Sequence, residues 1–172
     1  LFHDFGKANA LFQAKLKPKA KLTSEPIRHE WISLRLFEAF VKDQTDEQWL
    51  LQLAAIDEGI EQQVLADLYK DQFGKSKNPF KSFADKPIAE AVAWLIVTHH
   101  RLPQYPMNKG NNDHEPRSDE VETWFRKQFQ SSWNSDQCLR EDWEDKQWQA
   151  VWTFKLKTPF VSKTWQKKAK SI

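Results

Sequence analysis

Four glycines in 172 residues leave this chain few places to reverse direction tightly. Nine tryptophans and twelve phenylalanines supply bulky material instead, set among long side chains that helices accommodate well. With so few chain-reversing residues, an all-α fold is expected. The length suits one domain with a sizeable core.

Periodicity gives the expected order of helices. The opening LFHDFGKANALFQAKL has apolar residues at 2, 5, 8, 11, 12 and 16, a helical stripe. A Lys/Pro-rich connector, 17–25, ends in Ser24-Glu25-Pro26, and a polar cap followed by proline reads as a helix start. The helix after it carries Ile27, Trp31, Leu34, Phe37 and Val41 on one face, with His29 beside them. Residues 46–69 are acidic and amphipathic, with Gly59 as a candidate break, and 70–86 is polar enough to be a connection. Asp85 and Pro87 open IAEAVAWLIVTHH, which ends before Pro103 and whose apolar body predicts a central helix buried almost all round. Residues 103–118 form a loop rich in proline and asparagine, placed to gate a site at its start. Helices are expected at 119–130 and roughly 140–154, before a short basic tail.

Charge and cysteine content remove several function classes. The net charge of +2 and pI near 8.6 are only weakly suggestive of nucleic-acid binding. The basic runs Lys15, Lys17, Lys19, Lys21 and Lys163, Lys167, Lys168, Lys170 read as solvated faces. A lone cysteine, Cys138, excludes an internal disulfide and suits a reducing cytoplasm. No apolar run approaches the roughly 20 residues that span a bilayer. The phosphate-binding pattern GxxxxGK[ST] does not occur, so ATP hydrolysis is not expected within these residues.

Histidines carry the chemistry. His3-Asp4 sits in the opening stripe, His29 near the next helix start, and His99-His100 at the end of the most apolar helix. Imidazole nitrogen suits Mn, Fe, Co, Ni and Zn, and a carboxylate can bridge two cations. A mixed nitrogen and oxygen shell with open positions is what metal-assisted hydrolysis needs. Neighbouring helical residues diverge by about 100°, so a His-His pair converges more easily at a helix end. His114 lies in the polar loop and reads as exposed.

HDFGKANALFQ resembles the HD-x-GK-x-x-x-x-FQ signature of the HD nuclease domain in the CRISPR-associated helicase–nuclease of type I systems. RHEWISLRLF is similar to the next motif of that family and THHRLP to its His-His motif, the long spacer being most like type I-F. The resemblance covers most of residues 1–105, while 119–172 matches in helical character only. It implies an HD-domain helical bundle with a metal site between central helices, cutting single-stranded DNA with two divalent transition metals. Mn, Fe, Co or Ni would suit such a site better than Mg. His3 and Asp4 match the HD pair, with Asp4 touching both metals, and His29, His99 and His100 match the ligands of the second. Lys7 matches the lysine after the pair and is assigned to the scissile phosphate or a bound water. The implied partners are the RNA-guided CRISPR surveillance complex, a helicase domain that uses ATP elsewhere in a parent chain, CRISPR adaptation proteins and phage-encoded inhibitors.

Two departures from the family pattern bear on the first metal. A histidine that precedes the HD pair in the family has no counterpart here, so residues 1–172 are expected to be an HD-type nuclease domain cut short at the N-terminus and possibly at the C-terminus. A late aspartate has four candidates, Asp119, Asp136, Asp142 and Asp145, none in a motif. Two other readings share the ligand set: an HD-family nucleotidase or cyclic-nucleotide phosphodiesterase, and an inactive interaction segment of the parent. Trp133, Trp143, Trp148, Trp152 and Trp165 allow base stacking, although helical core is the better reading of each.

Overall fold

The computed structural model describes residues 2–18, 25, 27–57, 59–72, 75, 77–100, 119–120, 123, 144–154, 160 and 162–169. Among these the fold is all-α. A 3-10 helix, Phe2–Ala8, leads into α1 (Ala10–Lys15), α2 (His29–Val41), α3 (Asp46–Ala54) and α4 (Gly59–Asp67). A second 3-10 helix, Pro79–Phe83, precedes α5 (Pro87–Thr98), α6 (Asp145–Val151) and α7 (Lys163–Ala169). The loop at 103–118 with His114, most of the helix expected at 119–130, and Trp133, Trp143, Asp136 and Asp142 lie outside the described residues, as does the Trp165 side chain.

The opening stripe is helical, but its first half winds as a 3-10 helix. With three residues per turn, positions i and i+3 eclipse and form three ridges. Phe2, Phe5 and Ala8 make the core ridge and are all buried. Asp4 and Lys7 share a second ridge, and His3 and Gly6 the third. The spacing of 2, 5, 8 and 11 already carried this period of three. Asn9 then ends the 3-10 turn, bridges to Phe154, and caps α1 by accepting from the Phe12 amide at 2.9 Å.

The central helix is α2, not the helix leading to His99. Nearly every side chain of α2 from Glu30 to Val41 is buried, and it packs against the opening 3-10 helix, α4, α5 and the turn at Pro79–Phe83. On α5 the small Ala89 and Ala93 meet the core with Ile96 and Val97, whereas Ile88 is 47% and Leu95 64% exposed. Its apolar composition therefore overstated its burial. α2 also begins at His29, later than the Ser24-Glu25-Pro26 cap implied; Arg28 is the extended residue before it, and Ile27 is buried ahead of the helix.

Other boundaries follow from local chemistry. Gly59 opens α4 after a break, its amide bonded to Asp57 Oδ1 at 2.8 Å. The start of α5 is capped not by Asp85 but by Asp46 of α3, which accepts from the Ile88 and Ala89 amides at 2.9 Å each. The connection 70–86 is not simply a solvated strap, because Asp71, Phe80 and Phe83 are buried. Trp148 and Trp152 are core residues. Lys15, Lys17, Lys163 and Lys167 are exposed, as a solvated face requires. No helix among the described residues is long and apolar enough to cross a membrane.

Candidate metal centre

An aromatic cluster brings the first motif to the second. Phe2 packs at 4.9 Å from Phe5 and from Phe37, and at 5.5 Å from Phe40, which ties the 3-10 helix to α2. With Phe2 and Phe5 turned inward, Asp4 and Lys7 are left on a ridge that faces the start of α2. Gly6 permits the close approach: a Cβ there would lie 2.0 Å from the His29 carbonyl oxygen. Ser33 then clips the two backbones, accepting from the Gly6 amide at 2.7 Å and donating to the His3 carbonyl at 2.9 Å.

Four side chains converge as a result. Asp4, His29, His99 and His100 each offer one ligand-type atom, and these atoms lie within 4.8 Å of one another. Asp4 Oδ1 is 3.6 Å from His29 Nε2 and 3.7 Å from His99 Nε2. The rings of His99 and His100 lie 5.8 and 5.3 Å from that of His29. His3 stands at the other side of the carboxylate, its Nε2 3.5 Å from Asp4 Oδ2 and its ring 4.7 Å from that of His99. Of the late aspartates, Asp119 and Asp145 are exposed and outside this group.

Two polar atoms of this cluster, Asp4 Oδ1 and His29 Nε2, are buried without an aligned hydrogen bond. Leaving a buried nitrogen such as His29 Nε2 unpaired costs roughly 1–3 kcal/mol. Lys7 Nζ forms an ion pair with Oδ1 at 2.7 Å. Burial pushes the Asp4 carboxyl up, but Lys7 and His3 outweigh it and hold it below its ordinary value. Burial also lowers His3, and it pushes His29 down to about 4 against the opposing pull of Glu30 and Asp4. Both rings are thus neutral near neutral pH, with nitrogen lone pairs available. A carboxylate oxygen paired only with Lys7, beside a partnerless imidazole nitrogen, fits a metal ion.

Residues outside the expected ligand set hold the ring geometry. His99 Nδ1 lies 2.7 Å from the Ile96 carbonyl, which takes its proton and turns Nε2 towards Asp4. Phe12 sets its ring edge-to-face at 5.6 Å from His29. Gln13 donates to the Lys7 carbonyl at 2.7 Å. The phenylalanine and glutamine of the first motif therefore brace, respectively, His29 and Lys7. The sequence did not reveal these roles: Phe12 and His29 lie on different helices, and only Ser33, four residues after His29, shares a helix face with a histidine.

A histidine–aspartate cluster at helix ends of an all-helical bundle defines the HD class of domain. The family model described as "Cas3, HD domain" matches residues 1–170, and the chain belongs to that family. It is 42% identical over 176 residues to the "CRISPR-associated nuclease/helicase Cas3 subtype I-F/YPEST" of Pectobacterium atrosepticum. The protein of the same description from Pseudomonas aeruginosa is 40% identical over 167 residues. The alignments cover 100% and 96% of this chain but only 16% and 14% of those relatives.

Proposed function

We propose that this chain is the nuclease module of a CRISPR interference helicase–nuclease, and that it hydrolyses phosphodiesters of single-stranded DNA with divalent transition metals held by Asp4, His29, His99, His100 and His3. The observation that carries the reading is the buried, partnerless His29 Nε2, 3.6 Å from an Asp4 Oδ1 that is paired with the Lys7 ammonium. The two oxygens of Asp4 divide the histidines between them: Oδ1 faces His29 and His99, Oδ2 faces His3. Asp4, His29, His99 and His100 would hold one ion, and His3 beside Asp4 would contribute to a second. Bound metal supplies Lewis acidity towards a phosphoryl oxygen and a water.

The chain's own residues do the rest. Asp4 contributes anionic charge where cations must gather, and the neutral imidazoles contribute nitrogen without adding charge. Lys7, two-thirds buried beside Asp4, presents an ammonium to a non-bridging phosphate oxygen or to a water at the site. The two relatives are described as nuclease/helicase proteins, and the motor, with its ATP site, lies in the parent chain beyond these residues. A helicase domain, the RNA-guided surveillance complex, adaptation proteins and phage-encoded inhibitors are the partners this reading entails, in the cytoplasm.

The test uses the parent protein with Mn²⁺ or Co²⁺. Circular single-stranded DNA should be cut, nucleotides and cyclic nucleotides should not, and metal analysis should find two ions per chain. Turnover of the nucleotides with intact DNA would replace the nuclease by a nucleotidase or phosphodiesterase. Loss of both activities in a folded, metal-loaded protein would leave only an interaction segment.

A further inference from the structure

Glu30 is a carboxylate in an unusual position. It is 3% exposed, in the first turn of α2, directly after a proposed metal ligand. Burying a carboxylate costs several kcal/mol unless it is paired. One oxygen, Oε1, is paired with the Arg28 guanidinium. The other, Oε2, lies 3.3 Å from His29 Nδ1. Helix packing does not demand an acid here, since its neighbours Trp31 and Ile32 are apolar core. Location near the helix N-terminus favours negative charge, but that benefit is equally available to an exposed residue.

Each ring nitrogen of His29 has a carboxylate near it. Nδ1 faces Glu30, while Nε2 faces Asp4 Oδ1 at 3.6 Å. A neutral imidazole carries one proton, and the hydrogen bond made by one nitrogen decides which state the other takes. His99 meets the same requirement with a backbone carbonyl, its Nδ1 against Ile96. His29 is in the first turn of its helix, where carbonyls point away along the helix and none is offered to its ring. A side-chain acceptor has to replace one.

We propose that Glu30 is a positioning residue, which takes the Nδ1 proton of His29 as a hydrogen bond and leaves the Nε2 lone pair directed at Asp4. Arg28 holds Oε1, so that Oε2 is the oxygen that meets the ring. The inference rests on the metal-site reading for its consequence, since a proton on Nε2 would block coordination there. The tautomer itself is a property of the metal-free protein.

Long-range ¹H–¹⁵N correlation spectra of the metal-free chain, labelled at histidine, read the tautomer of each ring directly. His29 should carry its proton on Nδ1. In Glu30→Gln, Arg28 retains the amide oxygen, which turns the NH₂ group towards Nδ1 and forces the proton onto Nε2. Affinity for Mn²⁺ or Co²⁺ alone should then fall by about 10–100-fold. Glu30→Asp, which restores an acceptor, should recover part of that loss, whereas a residue needed only for packing would not be rescued by a shorter acid. An Nε2-protonated ring in the wild type overturns the proposal without recourse to any variant. So does an unchanged tautomer in a folded Glu30→Gln. If the tautomer switches as expected and the wild type binds no metal, the role of Glu30 stands and the metal reading falls.

Discussion

Two polar clusters hang on α2, and they are built on opposite terms. At its start, Asp4, His29, His99 and His100 converge, with the buried His29 Nε2 left partnerless and Asp4 Oδ1 held by the Lys7 ion pair. Two turns later, Arg35 is fully buried, and each of its three guanidinium nitrogens has a partner. Its Nε and Nη2 grip both oxygens of Asp71 at 2.6 and 2.7 Å, Nη1 reaches Glu38 at 2.6 Å, and Nη2 also donates to the Lys77 carbonyl. Trp31 donates to the same carboxylate at 2.8 Å, and Trp152 to the Asp71 backbone carbonyl at 2.8 Å. Both clusters unite distant parts of the chain. Only the first leaves binding capacity unused. Native proteins seldom leave buried polar atoms unpaired unless something else uses them, so the contrast separates a site from a strut.

The largest expected effect comes from breaking the strut. Arg35→Ala leaves Asp71 as a buried, uncompensated charge and should cost about 3–5 kcal/mol in urea denaturation. The folded fraction should still bind metal. A loss below about 1 kcal/mol would place the cluster with exposed ion pairs and erase the contrast. Asp4→Asn is the mirror experiment. Cleavage of single-stranded DNA should fall about a thousandfold or more, the loss of several kcal/mol of transition-state stabilisation. Stability without metal should fall by no more than about 1 kcal/mol, because the Lys7 ion pair that is lost is partly exposed. Activity within tenfold of wild type would remove Asp4 from the metal centre.

Much of the site was legible from residue type, and much of its support was not. The His-Asp and His-His pairs stand out as candidate ligands because neither pairing helps a helix pack, and a helix end lets His99 and His100 converge. The break at Gly59 and the burial of Trp148 and Trp152 follow from local pattern. Asp71 gave no such sign. It sits in a polar stretch that reads as solvent-facing, and only the fold supplies the arginine that makes its burial tolerable. α5 misled through its composition, because hydrophobicity without a polar face does not say which face a neighbour covers. Glu30 was hidden for another reason: consecutive helical residues point apart, and its reach back to His29 depends on Arg28 holding one oxygen.

Gly6→Ala tests the seam where the two motifs meet. The new methyl would stand 2.0 Å from the His29 carbonyl oxygen and 2.9 Å from its carbon, both backbone atoms that cannot swing aside. Overpacking of this kind costs about 1–3 kcal/mol. The same displacement separates Asp4 from His29, and a misplacement near 1 Å can cost about a hundredfold in rate. Stability and cleavage should therefore fall together, unlike either change above. A stable variant with full activity would mean that the 3-10 helix does not depend on close contact with α2.

The smallest effect probes the unfilled binding capacity itself. In the metal-free protein burial holds His29 at about 4, against an ordinary value of 6.5. Above 6.5 the ring is neutral whether the chain is folded or not, so the stability it contributes is fully present. As pH falls below 6.5, the unfolded chain takes up a proton that the folded chain refuses, and that stability is lost progressively towards about 4. The loss should be about 1 kcal/mol by about pH 5.5. His3 is lowered for the same reason and adds in the same direction. The carboxyls of Asp4 and Glu30, held below their ordinary values, also lose stability on acidification, but at lower pH. Denaturation of the wild type beside His29→Gln, from neutral pH downwards, isolates the histidine, because the difference between them should narrow below 6.5 as the wild type loses its advantage. A difference that stays constant would mean that His29 takes up its proton freely in the folded state. Its Nε2 would then be reached by water, and the cluster at the start of α2 would differ from the Arg35 strut only in being exposed.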